Sequence, residues 1–343
     1  MKAAVFRGPH QPLSIEEVPV PTPAPGEALI RTVACGVCAT DLHYLHGTPT
    51  FHPPPVTLGH EISGIVEKVT REGGSIKPGD RVLLPSVISC GHCSQCRVGR
   101  DNICESMVMF GNHINGGFAP WVVAPQDSLV KIPEEVPLEE SCLIADALST
   151  PFHAVKNRGQ VRAGETVAIF GCGGVGINAV QAAAAFGAQV IAVDIDPGKL
   201  ELARKLGAVE TLNAKEGDAP KAIRKMTRGG VDAAFEVIGN PVTLQAAFDS
   251  VRTGGRLVTV GYSEQDWTLR ASRVMFREIS ILGSLGCRSA EYPVLMDLVR
   301  RGRLQLAPLV SRKLPLEKVN EALDDLEKGR VMGRQIIVFP EEK

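Results

Sequence analysis

Val167–Gly176, VAIFGCGGVG, decides how the rest of the chain is read. Val167–Phe170 is a short apolar run and is predicted as a buried strand. Gly171, Gly173 and Gly176 then fit G-x-G-x-x-G, with Gly174 and Val175 completing the turn. An alanine-rich stretch, Ile177–Phe186, is predicted as a helix stopped by Gly187. A second apolar run, Val190–Val193, ends in Asp194, 23 positions after Gly171. Glycines between a strand and a helix, with an acid about 20 residues on, form a dinucleotide-binding fingerprint. The first glycine permits the tight turn, the second lets backbone approach a pyrophosphate, and the third lets helix pack on strand. The partial positive charge of the helix N-terminus suits the phosphates.

Asp194 narrows the cofactor. A carboxylate there accepts hydrogen bonds from ribose hydroxyls and repels a 2′-phosphate. Ile195 and Asp196 follow it, with no arginine, so NAD(H) is expected rather than NADP(H). Cys172, inside the turn, reads as a small filler.

Around this unit, 343 residues suggest about two domains. The composition is 44% hydrophobic and 22% charged, with net charge −1, which gives no basic footprint for nucleic acid or an anionic membrane. No apolar run reaches the ~20 residues of a spanning helix, and the N-terminus lacks the apolar core of a signal peptide. A cytoplasmic protein is expected. Nine cysteines, four of them clustered, point to metal rather than disulfides in a reducing compartment.

The N-terminal part alternates short β runs (Ala3–Phe6, Ala28–Val33) with a proline-rich connector at Val18–Gly26, as in an antiparallel β domain. Cys35-Gly-Val-Cys38-Ala-Thr40-Asp41-Leu-His43 and Gly59-His60-Glu61 gather thiol, imidazole and carboxylate, all natural zinc ligands. Cys38 and His60 are 22 positions apart, so sequence does not bring them together. Cys90, Cys93, Cys96 and Cys104 are spaced C-x2-C-x2-C-x7-C. Four thiols in so short a loop suit one tetrahedral ion with no position left for substrate, hence a structural zinc. An iron–sulfur cluster is the rival for four cysteines. Leu138–Val155 is predicted as one helix. After Asp194, helices and strands alternate through Ile279–Leu282, as in a doubly wound parallel sheet. Tyr292–Arg301 and Leu316–Gly329 are predicted helices, and Gln335–Phe339 a final strand.

Taken in order, Cys38, Gly59-His60-Glu61, the four-cysteine loop and GCGGVG with Asp194 make a chain that resembles the zinc-dependent medium-chain alcohol dehydrogenase family over essentially its whole length. The resemblance implies an α/β fold in which a GroES-like β catalytic domain (residues 1–152 and 288–343) is interrupted by an NAD-binding Rossmann domain (residues 153–287). It implies two Zn²⁺ per chain. Cys38 and His60 would be ligands of a catalytic zinc, Glu61 the adjacent carboxylate, and Asp41 the acid that orients the histidine. Thr40 and His43 match a hydroxyl-to-imidazole proton relay. Asp146 aligns with the third zinc ligand, a carboxylate as in polyol- and threonine-dehydrogenase-like members, with Cys142 as its rival. Asp194 and Lys199 match adenosine-ribose contacts, and Arg334 the arginine that reaches the pyrophosphate. Ala39 departs from members that carry a basic residue beside the first cysteine, so one phosphate contact is missing. His46 and His52 are read as surface-loop residues, with the substrate pocket as the alternative. Tyr44, Phe51, Asn112 and Leu285 are wall candidates.

The expected activity is reversible hydride transfer between an alcohol and NAD(H). A polyol-, threonine- or hydroxyacyl-CoA-type zinc dehydrogenase and a non-catalytic NAD(H)-binding protein are the alternatives. The expected partners are a small alcohol or carbonyl substrate and further copies of the chain in a homotetramer or dimer.

Overall fold

The structure is a computed structural model and describes residues 1–340. The chain forms two compact units, Met1–Ser149 with Arg288–Lys343, and Thr150–Cys287.

The first unit is mainly antiparallel β. Its central sheet runs, in spatial order, Val130–Lys131, Arg81–Leu84, Glu61–Val69, Glu27–Val37, Arg334–Val338 and Val310–Leu314, with Trp121–Pro125 also paired to Glu27–Val37. A three-stranded sheet orders Ser14–Glu17, Lys2–Phe6 and Val56–Thr57. The strands alternate inward and outward side chains, and the inward set gathers Phe6, Ile30, Leu58, Ile62, Leu84, Phe110, Phe118 and Ile337 into one core. Arg334–Val338 lies beside Glu27–Val37 although some 300 residues separate them, so the C-terminal segment completes the N-terminal sheet.

The second unit is a six-stranded, all-parallel sheet. Its order is Ala208–Asn213, Gln189–Asp194, Thr166–Phe170, Val231–Glu236, Val251–Thr259 and Ser280–Gly283. The second to sixth strands in sequence therefore fan out on both sides of the first, giving the 3-2-1-4-5-6 order of a dinucleotide-binding fold. The alternation of strands and helices is as expected. Thr166–Phe170, buried on both sides, sits between Gln189–Asp194 and Val231–Glu236, and the strand order reverses at its carboxyl end. Val251–Thr259 has an irregular start, with Gly254 and Gly255 lying where the register shifts.

The helix predicted over Leu138–Val155 is not continuous. Glu140–Ala145 is a 3₁₀ turn, Ser149–His153 an α-helical turn, and residues 154–158 a π turn. The reason is Pro151: inside a single helix its ring would clash with the carbonyl of Ala147, so helix starts afresh at Ser149, where proline falls in the first turn.

Candidate active site and metal centres

Cys90, Cys93, Cys96 and Cys104 come together in one loop. A four-residue helix, Ser94–Arg97, and a 3₁₀ turn, Asp101–Ile103, turn the thiols toward one another. The Sγ separations are 3.5 Å for Cys93–Cys96, 3.9 Å for Cys93–Cys104 and 4.0 Å for Cys90–Cys96. A tetrahedron with Zn–S bonds of about 2.3 Å has edges of about 3.8 Å. Disulfides would need sulfurs at about 2.05 Å, and all nine cysteines are free. A multi-atom iron–sulfur core would hold its thiolates further apart than this. Backbone N–H groups of Cys90, Ser106 and Cys93 point at the sulfurs of Cys104 and Cys90 at 3.3–3.4 Å, as anionic sulfur requires. Backbone N–H groups at Cys96 and Glu105 lower the Cys93 thiol to about 6, whereas loss of solvent and the neighbouring Cys93 push Cys96 up to about 12. Thiols this close ionise together only around a cation. The residues fit a closed structural zinc.

A second cluster brings together Cys38, His60, Glu61 and Asp146, with one ligand atom of each within 4.8 Å of the others. Cys38 caps the helix Ala39–Leu45, and its backbone N–H is held by Asp41 Oδ2 at 3.0 Å. The other oxygen of this buried aspartate stands 3.7 Å from His60 Nδ1. His60 Nε2 faces Asp146 Oδ2 at 3.6 Å, and Cys38 Sγ lies 3.9 Å from the same oxygen. His60 is 1% exposed, yet neither ring nitrogen has a hydrogen-bond partner, nor do Asp41 Oδ1 and Glu61 Oε2. Leaving such atoms buried and unpaired is costly, and a cation among them removes the cost. Thiolate, imidazole and carboxylate are the donors a zinc ion takes, and bonds of 2.0–2.3 Å give edges near the observed separations. Burial works against a charged His60, but Cys38, Asp146 and Asp41 outweigh it and hold the imidazole well above its ordinary value.

Glu61 reaches this cluster through a strand register. It pairs across the sheet with Gly36, and a Cβ on Gly36 would come within 1.9 Å of Glu61 Oε2. The missing side chain lets the carboxylate lie over the middle strand and accept a 2.9 Å hydrogen bond from Arg334 Nη2 on the strand beyond. Burial, only partly offset by Arg334, pushes Glu61 up to about 7. The resemblance implies that Arg334 reaches a pyrophosphate; its Nη2 also has this buried carboxylate partner, 273 positions away and without a sequence signal.

In the second unit the glycine turn shows the tight turn and the close helix–strand packing that the spacing implies. Gly171 adopts φ +97°, in the left-handed region that favours glycine. A Cβ on Gly176 would meet Gly171 O at 1.7 Å, so helix and strand pack only without it. A Cβ on Gly173 would meet nothing within 4 Å, so the space over this residue is open. Gly173 caps the helix Gly174–Ala185, which begins three residues earlier than predicted. Asp194 stands beside the turn: Oδ2 accepts from Cys172 N at 2.6 Å, and Oδ1 from Ile195 N and Asp196 N at 2.7 and 3.0 Å. Asp196 caps the next helix, Pro197–Lys205, in which the half-buried Lys199 lies. These residues fit a dinucleotide.

Of the remaining candidates, Thr40 Oγ1 is 3.6 Å from Cys38 Sγ, and His43 follows one turn later on the same helix. His46 pairs with Glu327 at 2.8 Å, and His52 is exposed on its loop. Tyr44 is buried, with Asn112 Nδ2 donating to its hydroxyl, while Phe51 is exposed and stacks on His113. Cys142 is fully buried, outside the ligand group that contains Asp146.

Comparison with known proteins gives the same class. The family description "Zinc-binding dehydrogenase" matches residues 174–301, and "Alcohol dehydrogenase GroES-like domain" matches residues 24–134. The chain belongs to this zinc-binding medium-chain dehydrogenase family. It is 38% identical over 344 residues to an alcohol dehydrogenase of Geobacillus stearothermophilus, covering 100% of both chains. It is 35% identical to the sorbitol dehydrogenase of Bacillus subtilis, covering 99% of this chain and 97% of that one. A solved NAD-dependent alcohol dehydrogenase superposes with a TM-score of 0.93 at 32% identity, over 99% of this chain and 100% of that one.

Proposed function

We infer that this chain is a zinc-dependent, NAD-linked alcohol dehydrogenase that interconverts an alcohol and its carbonyl compound. The observation that carries the reading is the Cys38–His60–Glu61–Asp146 cluster, a ligand set with both ring nitrogens of a buried histidine unpartnered. Cys38, His60 and Asp146 are assigned as ligands of the catalytic ion, with the Glu61 carboxylate as an exchangeable fourth ligand. Zinc bound there would supply Lewis acidity, the effect that takes bound water from a pKa of 15.7 to about 7.

The remaining work belongs to the chain. Asp41 Oδ1, 3.7 Å from His60 Nδ1, is placed to draw the ring proton to Nδ1, which would leave the Nε2 lone pair for the ion and favour one ring orientation. Arg334, committed to Glu61 at 2.9 Å, holds that carboxylate back. Thr40 takes the proton of the substrate hydroxyl as it releases its own toward His43, one helical turn on, which passes a proton outward. Gly171, Gly173, Gly174, Val175 and Gly176 cradle the pyrophosphate, and Asp194 and Lys199 bind the adenosine ribose. NAD(H) so held would take or give the hydride, which requires the carbinol carbon against the nicotinamide ring.

A carboxylate at position 146 and the likeness to a sorbitol dehydrogenase favour polyols as a second substrate reading. Subunits are assigned to associate through the strand Ser280–Gly283. It lies at the edge of the parallel sheet, with the exposed apolar residues Ile281, Phe276 and Leu285 in or near it.

The test separates the two metal roles. Cys38→Ser is expected to lose at least 100-fold in turnover of secondary alcohols and polyols while keeping NADH affinity, read by fluorescence titration. Cys93→Ser is expected to lower the melting temperature and the yield of assembled protein. Identical behaviour of the two variants would refute the assignment.

A further inference from the structure

The residue before Asp146 has an unusual environment. Ala145, 1% exposed, ends the 3₁₀ turn Glu140–Ala145, and its backbone carbonyl accepts from three hydroxyls. Ser86 Oγ lies at 3.0 Å, Tyr292 Oη at 3.0 Å and Ser149 Oγ at 3.1 Å. The donors come from three parts of the chain: the segment after strand Arg81–Leu84, the start of helix Ser149–His153, and the start of helix Tyr292–Arg300. All three side chains are buried. A carbonyl oxygen has two lone pairs, so the Ser149 and Tyr292 hydroxyls already satisfy it, and Ser86 adds a third, shared contact. Ser86 Oγ also stands 2.9 Å from His60 O, so its one proton is shared between two carbonyls and the hydroxyl bridges the backbone of His60 and that of the segment leading into Asp146.

We propose that Ser86, Ser149 and Tyr292 are positioning residues that hold Asp146 at the metal cluster by fixing the Ala145 carbonyl. The proposal rests on the assignment of Asp146 as a zinc ligand. Asp146 needs such a device. Its backbone, φ −144° and ψ −58°, lies outside regular helix, between the 3₁₀ turn and the helix that restarts at Ser149. Its side chain is 21% exposed, so burial does not confine it as it confines His60, at 1%. The Ala145–Asp146 peptide is a rigid plane, and immobilising its oxygen fixes the nitrogen from which Asp146 projects. Ser86 then sets the spacing of two ligands at once, His60 and Asp146, whose facing atoms are 3.6 Å apart. Partners that orient ligands in this way commonly govern metal affinity by 10–100-fold.

The experiment uses holoenzyme with both zinc sites loaded and follows zinc release to a chromogenic chelator, with the four-cysteine zinc as internal reference. Asp146→Ala identifies the catalytic-site zinc as the ion whose release it accelerates, or which it loses during purification. Tyr292→Phe and Ser86→Ala are each expected to release that ion about 10–100-fold faster. The reference zinc should leave at its original rate, and the melting temperature should change little. Ser86→Thr, which keeps the hydroxyl, is expected to bring release back to within about threefold of the parent enzyme. If Asp146→Ala accelerates release and neither hydroxyl variant does, the positioning proposal falls and the ligand assignment stands. If Asp146→Ala leaves both release rates unchanged, the ligand assignment falls and the proposal with it.

Discussion

Gly36 shows how one absent methyl group shapes the site. It stands opposite Glu61 in the register, on the strand between Glu61 and Arg334, and the carboxylate occupies the space a Cβ would need. Gly36→Ala must push Glu61 aside and break its hydrogen bond to Arg334, leaving both groups buried and mispaired. Overpacking of this kind costs about 1–3 kcal/mol, and an unpaired buried charge adds to it. The expected outcome is a lower unfolding midpoint in denaturant together with reduced zinc retention. A variant with wild-type stability and zinc content would show that Glu61 does not need the space. Cys172 makes a contrasting case. Burial, with Asp194 adding to it, pushes its thiol up to about 12, so its position in the glycine turn does not make it a nucleophile.

Within the strand–turn–helix element the glycines do different work, and substitutions should separate it. Gly176→Ala places a Cβ 1.7 Å from Gly171 O, so the helix must move off the strand. The expected outcome is loss of both stability, by at least about 1–3 kcal/mol, and NADH binding. Gly173→Ala puts a methyl group into open space at the helix cap. Its melting temperature is expected to hold while NADH affinity falls at least tenfold, because the methyl group takes the approach of the pyrophosphate. Calorimetric titration alongside thermal unfolding reads both. Equal effects of the two variants on stability would contradict this division. The segment Leu138–Val155 carries the opposite lesson: it reads as one helix, but a proline inside it forces a break, and Asp146 lies at that break.

For the whole molecule, the parallel sheet ends at Ser280–Gly283, whose outer edge is unpaired among the described residues. Ile281 is 40% exposed and Phe276 79% exposed. Native proteins seldom leave an apolar edge in water. Ile281→Lys is therefore expected to shift the sedimentation coefficient toward that of a monomer. An unchanged coefficient would refute association through this edge. No helix among the described residues is long and apolar enough to cross a membrane.

Legibility in the sequence follows the distance over which the chain must fold back. The four-cysteine site was readable as a unit because its ligands share 15 consecutive residues and one loop closes them. The dinucleotide turn was readable because strand, glycines, helix and acid are a local motif whose spacing is set by backbone geometry. The sheet class followed from the alternation of apolar strands and helices. The cluster of Cys38, His60, Glu61 and Asp146 spans more than 100 residues, so resemblance could name its members but spacing could not assemble them. The resemblance already set Asp146 ahead of Cys142, and the fold gathers Asp146, not Cys142, with Cys38, His60 and Glu61. Only the tertiary structure joined Arg334 to Glu61 and set three hydroxyls on the Ala145 carbonyl. Local spacing determines what neighbouring residues can do together, whereas partners from distant segments are decided by how strands pair and where backbone breaks. That information is held in the sum of many packing energies and in no single stretch of chain.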